Sequence, residues 1–437
     1  MDLLLTIGVL FVFLYAILVG APLFAIVGSM AVFFFWMADI STSAIIVEMC
    51  RLANAPGIIA IPLFTLTGYI FAESKTSDRL INLSDALLGW LPGGLAIVAL
   101  VAGAIFTSLT GANGIAIIAI GGILLPALLK AKYDDNFSLG VLATTGDLGV
   151  LFVPSLPIIV YALIAKTDTV QLFIGGVVPG VLMILVIAVY AVIYAVKHEI
   201  PTTTFGVKKL LTAANQAKWE IPLPFVIIYT IYGGVITVGE AAAVTAAYAI
   251  VVECFIYREI DFKHFLKVII ESMQMVGSLL IILGVALALT NYLVDQHVPQ
   301  LIMEFIKTHI SSKITFLLAL NLFLLIVGCL MDIFSAIIII VPLISPVASG
   351  FGVDPTHLGI IFLANLSIGY LTPPIGMNLF IASIRFKEPV LKIFKAAVPF
   401  FILLLISLII ITYVPKLTLG PIDLLGKRPK LIDINNL

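Results

Sequence analysis

Charge is scarce in this sequence. Only 11% of its 437 residues are Asp, Glu, Lys or Arg, 62% are hydrophobic, and the mean hydropathy is +1.23. A soluble domain carries roughly 25% charged residues, so a water-soluble globular protein is excluded. Cysteine is almost absent: Cys50, Cys254 and Cys329 lie far apart in or beside apolar segments, which leaves no disulfide or metal framework. A net charge of -1, with no basic stretch interleaved with aromatics, gives no footprint for nucleic acid. The five histidines (His198, His264, His297, His309, His357) fall at or near the ends of apparent segments. An intramembrane enzyme would need paired carboxylates, a His cluster or an activated nucleophile at membrane depth, and none is evident.

What the chain does have is long apolar runs. Residues 3–36 (interrupted by Gly20 and Pro22), 172–196, 225–252 and 268–289 all exceed the ~18–20 residues that span a bilayer. The sequence therefore reads as an all-α polytopic membrane protein. The first run has no basic residue before it and no small-residue cleavage site, and it continues into another span. It reads as the first transmembrane helix rather than a secretory signal.

The most polar long stretch, residues 197–220, carries Lys197, Lys208, Lys209 and Lys218. A second basic cluster, Arg258, Lys263 and Lys267, follows after a segment long enough for two helices, so both clusters can face one side. The positive-inside rule makes that side the cytoplasm. Residues 3–38 have no Lys or Arg, and Arg51 is the first, which fits a first half starting outside and a second half starting inside. The basic tail at 426–430 argues the other way if the C-terminus is external.

The two halves also resemble each other. AIIAIGGILLP at 116–126 aligns with AIIIIVPLISP at 336–346, a shift of 220 positions. Gly140 then pairs with Gly359 and Gly149 with Gly369, and Pro154 and Pro373 each stand 14 positions after the first glycine of their pair. With the charge pattern, this predicts an inverted repeat: 1–200, with scaffold helices in 1–85 and a hairpin and broken helix in 86–168, a cytoplasmic linker at 201–220, and 221–437. Within the second repeat the scaffold helices fall in 221–312, the hairpin and broken helix in 313–386 and a C-terminal helix in 388–414.

Each half carries two irregular elements. Residues 86–129 hold no charge, yet TSLTGANG at 107–114 interrupts the apolar run, and the flanking stretches 95–106 and 115–129 look too short to cross. A re-entrant hairpin with a buried polar tip explains this, as does a pair of ordinary helices with a surface turn. Its partner is 314–347, with a tip at CLMDIFS (329–335). The second element is a broken helix. In GYLTPPIGMN (369–378), Pro373 and Pro374 deprive preceding carbonyls of their helical partners beside Thr372 and Asn378. Freed carbonyls suit a cation, and the half-helix starting near Ile375 offers its N-terminus to an anion. The counterpart is TTGDLGVLFVPSLP (144–157), with Thr144, Thr145, Pro154, Ser155 and Pro157. Proline kinks are often structural, but two symmetry-related breaks beside polar-tipped hairpins favour a binding site. Ionisable residues in such regions are functional candidates: Asp332 with Ser335 nearby, Asp147, and Glu240, which could equally anchor helices among its neighbouring alanines. Neither tip nor break holds a Lys, Arg or His, so an anion would have to be held by helix N-termini, hydroxyls and bound cations.

These residues resemble the large membrane subunit of a TRAP (tripartite ATP-independent periplasmic) transporter. The likeness covers essentially the whole chain and is most specific in LVGAPLFAIVG (18–28), VGEAAAVTAAYA (238–249) and residues 331–382, which include LTPPIGMNLF. It implies an elevator-type fold with two re-entrant hairpins and two broken helices in the bacterial inner membrane, importing organic acids by sodium symport. It implies a small four-helix membrane subunit, here expected as a separate chain, and a periplasmic substrate-binding protein. It implies sodium between each hairpin tip and the adjacent break: Ser108, Thr110, Gly111 and Asn113 with Gly146 and Asp147, and Asp332 and Ser335 with Gly369, Thr372 and Asn378. The substrate anion is expected at Thr144, Thr145, Pro154, Ser155, Pro373, Pro374 and Gly376. Two departures stand out. The first tip is poor in serine, and Asp147 replaces a small neutral residue. A stand-alone sodium/organic-anion symporter of the same fold is the alternative.

Overall fold

A computed structural model of the chain describes residues 22–55, 57–111, 113–202, 204–310 and 312–426. The expected first transmembrane helix before residue 22, and Lys427, Arg428 and Lys430 of the basic tail, lie outside the described residues. The described part is helical throughout. In chain order the helices are α1 (Leu23–Met37), α2 (Ser43–Ala53), α3 (Ala60–Glu73), α4 (Thr76–Leu88), α5 (Gly94–Thr110), α6 (Asn113–Lys130), α7 (Asp135–Thr144), α8 (Leu156–Ala165), α9 (Thr169–Lys197) and α10 (Val207–Gln216). They continue as α11 (Pro222–Tyr232), α12 (Val238–Ile250, running on as a π-helical turn, Val251–Ile256), α13 (Phe262–Asp295), α14 (Val298–His309), α15 (Lys313–Leu330), α16 (Ile333–Gly350), α17 (Pro355–Gly369), α18 (Met377–Phe386), α19 (Val390–Tyr413) and α20 (Lys416–Leu424). Among the described residues, 7 helical stretches are long and apolar enough to cross a membrane.

The long helices show how such a chain divides its apolar surface. On α9 the exposed residues Val178, Val181, Leu185, Val189, Ile193 and Val196 recur every three or four positions, a stripe suited to lipid. The opposite stripe, Gly176, Gly180, Met183, Ile187, Ala191 and Ala195, is small or apolar and faces the protein. Small residues let backbones approach closely where lipid provides no hydrophobic drive.

Two hairpins and two broken helices recur at a nearly constant spacing. Helices α5 and α6 form the first hairpin, and α15 and α16 the second. Their arms are longer than the apolar runs predicted. The hydroxyls of Ser108 and Thr110 donate to the carbonyls of Ile105 (2.8 Å) and Phe106 (2.9 Å), so the polar stretch stays helical. The helix then ends at the left-handed Gly111 (φ 66°). The broken helices are α7–α8 and α17–α18. Asp134 caps α7 and Asp354 caps α17, 220 positions apart, each carboxylate accepting two backbone N–H groups. Pro154 and Pro374, again 220 apart, each follow a cis peptide bond.

The broken helices run in opposite directions. Asp135, at the start of α7, pairs with Lys392 in the first turn of α19 (2.5 Å). His357, at the start of α17, bonds through Nε2 to the Thr412 carbonyl near the other end of α19 (3.2 Å) and through Nδ1 to Thr418 (3.1 Å). A helix of 24 residues is about 36 Å long, so α7 and α17 start on opposite sides of the molecule.

Residues 43–53 form the short helix α2, and Lys263 and Lys267 of the second basic cluster lie in the first turns of α13. Asp261 caps His264 N–H (2.7 Å), and without a breaker the helix runs on for 34 residues. Glu240 is exposed and makes no hydrogen bond to another helix among the described residues. It closes a capping box with Thr237 at the exposed start of α12.

At the basic side, Arg79 of α4 is buried among Glu220, Glu253 (2.8 Å) and Glu259 (2.7 Å), with the Tyr257 ring 3.9 Å from its guanidinium carbon. This cluster ties α4 to the linker before α11 and to the π-helical turn after α12.

Candidate functional site

Each hairpin tip meets a break. At the first junction the break is walled by glycine: a Cβ on Gly149 would sit 2.5 Å from the Ala104 carbonyl oxygen of α5 and 2.8 Å from the Ser108 nitrogen. At the second, a Cβ on Gly369 would sit 2.7 Å from the Gly328 Cα of α15. Gly149 is 220 positions before Gly369, and Ser108 is 220 before Gly328, so the same contact is built twice.

The first junction is sealed. Residues 141–151 are all buried, and Gly146 lies against the Asn113 carbonyl. Asp147 is 1% exposed, and its Oδ1 accepts from the amides of Asn378 (2.8 Å) and Asn113 (3.2 Å). Its backbone carbonyl accepts from the Ser367 hydroxyl (2.9 Å). Among the described residues its Oδ2 has no hydrogen-bond partner, and neither do the Asn378 Oδ1, Thr107 Oγ1 and Ser155 Oγ. Buried oxygens left so are costly unless a donor or cation reaches them. Thr144 and Thr145 are fully buried and donate back to the carbonyls of Gly140 (2.9 Å) and Leu142 (2.7 Å). Their hydroxyl protons are thus committed to their own helix.

Asn378 corrects the sequence reading, which grouped it with Asp332. After each break the chain crosses to the other half's hairpin: α18 packs on α6 and α8 on α16. Gly114 and Gly121 of α6 lie against Ile381 and Phe386 of α18, which carries Asn378 to Asp147.

The second junction is more open. Thr372 is half-buried, and Pro373, Pro374 and Ile375 are exposed. Asp332 caps α16: its oxygens accept from Ser335 N (3.0 and 3.2 Å) and Ser335 Oγ (2.6 Å). The Thr372 hydroxyl donates to the Gly369 carbonyl (2.6 Å). The Tyr370 hydroxyl accepts the Ile333 N–H (2.5 Å).

Helix starts with and without a side-chain cap occur both at the site and away from it. Asp side chains cap α7, α9, α13, α16 and α17. The half-helices after the breaks, α8 at Ser155 and α18 at Gly376, have no side-chain cap. Their first N–H groups carry the positive end of the helix dipole and suit an anion. Asp147 and Asp332 are the only charged residues in the tips and breaks, one at each junction. No Lys, Arg or His among the described residues hydrogen-bonds to either. Asp147 comes from the first break and Asp332 from the second tip.

Sequence reasoning missed Ser367 and Tyr370. Ser367 stands 220 positions after Asp147, so the repeat spacing held the signal. Tyr370 lies inside the GYLTPPIGMN break but carries no charge to draw attention.

The model of the family "Tripartite ATP-independent periplasmic transporter, DctM component" matches residues 7–417. The chain belongs to this family. It is 34% identical over 423 residues to the C4-dicarboxylate TRAP transporter large permease protein DctM of Vibrio cholerae, covering 91% of this chain and 93% of that one. The ectoine TRAP transporter large permease protein TeaC of Halomonas elongata is 29% identical, covering 84% and 86%. The isethionate TRAP transporter permease protein DctMQ of Oleidesulfovibrio alaskensis is 34% identical over 362 residues, and the match spans 82% of this chain and 57% of that longer protein. Among solved structures, the YdaH transporter of Alcanivorax borkumensis superimposes with a TM-score of 0.55 at 12% identity, covering 85% of this chain and 87% of that one. That likeness supports the fold. The TRAP large permease described here is a multi-pass membrane transport subunit and not an enzyme.

Proposed function

We propose that this permease imports a small organic acid anion, a dicarboxylate or a sialic-acid-like molecule, across the bacterial inner membrane by sodium symport. The observation that carries the reading is the pair of junctions, each with one carboxylate and no cationic side chain. A buried carboxylate without a counter-charge, as at Asp147, costs several kcal/mol; a sodium ion there offsets that cost, and a second one neutralises the half-buried Asp332. The first site uses Asn113 and Asp147, with Asn378 joining from the second half, beside Ser108, Thr110, Gly111 and Gly146. The second uses Asp332, Ser335, Gly369 and Thr372. With both carboxylates neutralised, the uncapped starts of α8 and α18 hold the anion, beside Ser155 and Gly376.

Two inverted repeats, about 1–200 and 221–437, would then rock in an elevator cycle, for which the opposed directions of α7 and α17 are the supporting geometry. Substrate arrives from a periplasmic binding protein, and a separate small four-helix subunit completes the assembly. The relatives' own substrates, a C4-dicarboxylate and isethionate among them, favour a small polar organic solute.

The test is uptake of labelled organic acids into liposomes holding this chain and a small subunit, with a candidate binding protein outside and an inward sodium gradient. Uptake should need the binding protein and sodium, and should collapse in Asp332→Ala. Uptake by the chain alone would favour the stand-alone symporter. Uptake indifferent to sodium would remove the ion assignments.

A further inference from the structure

A cleft of about 560 Å³, within the size range of small-molecule sites, lies between α2 and the end of α8. Glu48 and Arg51 of α2 line one wall, and Ile159, Ala162, Leu163 and Lys166 line the other. The last four recur at i, i+3, i+4 and i+7, so they share one face of α8. The cleft therefore follows α8 from the exposed Lys166 back to Ile159. Ile159 is four residues from the uncapped start at Ser155, about 6 Å along the helix axis.

Helix α9 fixes which end of the molecule this is. Its first residue, Thr169, also lines the cleft, and the helix runs 29 residues, about 43 Å, to Lys197. Lys197 opens the basic linker that the positive-inside rule assigns to the cytoplasm. The cleft thus opens at the outer end.

Its cations have capacity to spare, while its carboxylates are engaged. Arg51 Nη1 donates to Glu48 (3.2 Å), but Nε and Nη2 make no hydrogen bond among the described residues. Lys166 makes no ion pair among the described residues. Asp168 accepts the Val170 N–H at the start of α9 (2.8 Å). Thr167, in the same wall, has a buried hydroxyl with no partner among the described residues. Two cations facing two carboxylates leave the cleft balanced, so an anion is attracted locally but not trapped. The other repeat carries the same lysine. Lys166 ends α8 with left-handed backbone (φ 53°), and Lys387, 221 positions later, ends α18 likewise (φ 56°), where glycine is usual. Lys387 is five residues before Lys392, which pairs with Asp135 on the opposite face. Each uncapped half-helix thus leads outward to a lysine, one on each side.

We propose that this cleft is an outer receiving site for the carboxylate of the organic acid, held by the Arg51 guanidinium and the Lys166 ammonium before it passes along α8 to Ser155. The proposal rests on the anion reading above and adds a station to it. Charges this exposed act weakly, so each should change the affinity about threefold.

The experiment uses the full chain with its small subunit in liposomes, with its cysteines replaced by serine and a reporter introduced as Leu163→Cys. The impermeant anionic reagent sulfonatoethyl methanethiosulfonate is added outside, and labelling is timed as succinate or N-acetylneuraminate is raised at constant sodium. Wild-type uptake of both acids, with binding protein, is measured in parallel. The acid that is taken up should slow labelling with no binding protein present. Its half-protecting concentration should rise about threefold in Arg51→Gln and in Lys166→Gln, and fall about threefold in Glu48→Gln, which frees Arg51. No labelling from outside, no protection by an acid that is taken up, or half-protection that moves the same way or not at all in the three variants would overturn the proposal and leave the deeper anion site standing. Protection by the loaded binding protein but not by the free acid would overturn it in favour of a protein-docking face. Uptake of neither acid would instead remove the reading beneath it.

Discussion

Replacing Arg79 by Met tests whether the buried ion cluster holds the scaffold together. Arg79 faces three carboxylates: Nε is bonded to Glu220, Nη2 takes both oxygens of Glu253 (2.8 and 3.0 Å), and Nη1 takes Glu259 (2.7 Å). Glu253 is fully buried and Glu220 is 3% exposed. Methionine keeps much of the side-chain volume but leaves the carboxylates facing one another without a counter-charge. Removing one partner of a buried pair costs about 3–5 kcal/mol, and losing the Tyr257 contact adds about 0.5–1 kcal/mol. At ~2.1 cal/mol/K per residue, a 437-residue chain has an unfolding entropy near ~0.9 kcal/mol/K, so the melting midpoint should fall by about 4–7 °C. The loss should depend on pH. Burial holds the Glu220 carboxyl above its usual range while Arg79 pulls it back, so without Arg79 it rises further. A carboxyl with a raised folded pKa binds more protons in the folded state, so stability falls as pH rises from the ordinary Glu value of 4.5 through the folded one. The deficit should therefore be smaller near about pH 5 than near about pH 8, and Glu253→Gln in the same background should recover part of it. Melting of the purified complex across that range is the assay. A deficit under about 1 °C, or one that does not vary with pH, would refute the account of the cluster.

Gly149→Ala puts a Cβ 2.5 Å from the Ala104 oxygen. It should cost about 1–3 kcal/mol of overpacking and lower uptake sharply by pushing the first hairpin off its break. Uptake and melting on one preparation check both, and wild-type transport would show that the contact yields. Glu240→Ala removes only the capping box at the exposed start of α12. It should cost about 1 kcal/mol or less and leave uptake within about twofold of wild type. A loss of transport there would return Glu240 to the mechanism.

Much of the architecture was legible because lipid imposes simple rules. A nearly charge-free chain has to satisfy its backbone within helices, so the apolar runs announced the spans. Pro373 and Pro374 announced a break, since proline cannot continue the hydrogen-bond ladder. The 220-position spacing tied the two halves and picked out both tips and both breaks. Local signals misled where a side chain had a nearby backbone partner. Ser108 and Thr110 suggested the end of a helix, yet each hydroxyl bonds back to its own turn and lengthens it. Glu240 looked like a transport or interhelix residue, but its carboxylate is taken up by Thr237, three residues earlier.

Composition, proline placement and repeat spacing by themselves determined that this chain is a membrane protein with paired polar interruptions, because those depend on the solvent and the local backbone alone. Tertiary structure decided who meets whom. Asn378 reaches Asp147 across 231 positions because each half-helix crosses to the other half's hairpin, and Arg79 gathers carboxylates from as far as 180 positions away. Pairings of that kind depend on how rigid helices pack side by side, and no pattern of residues along one helix encodes its neighbour's register.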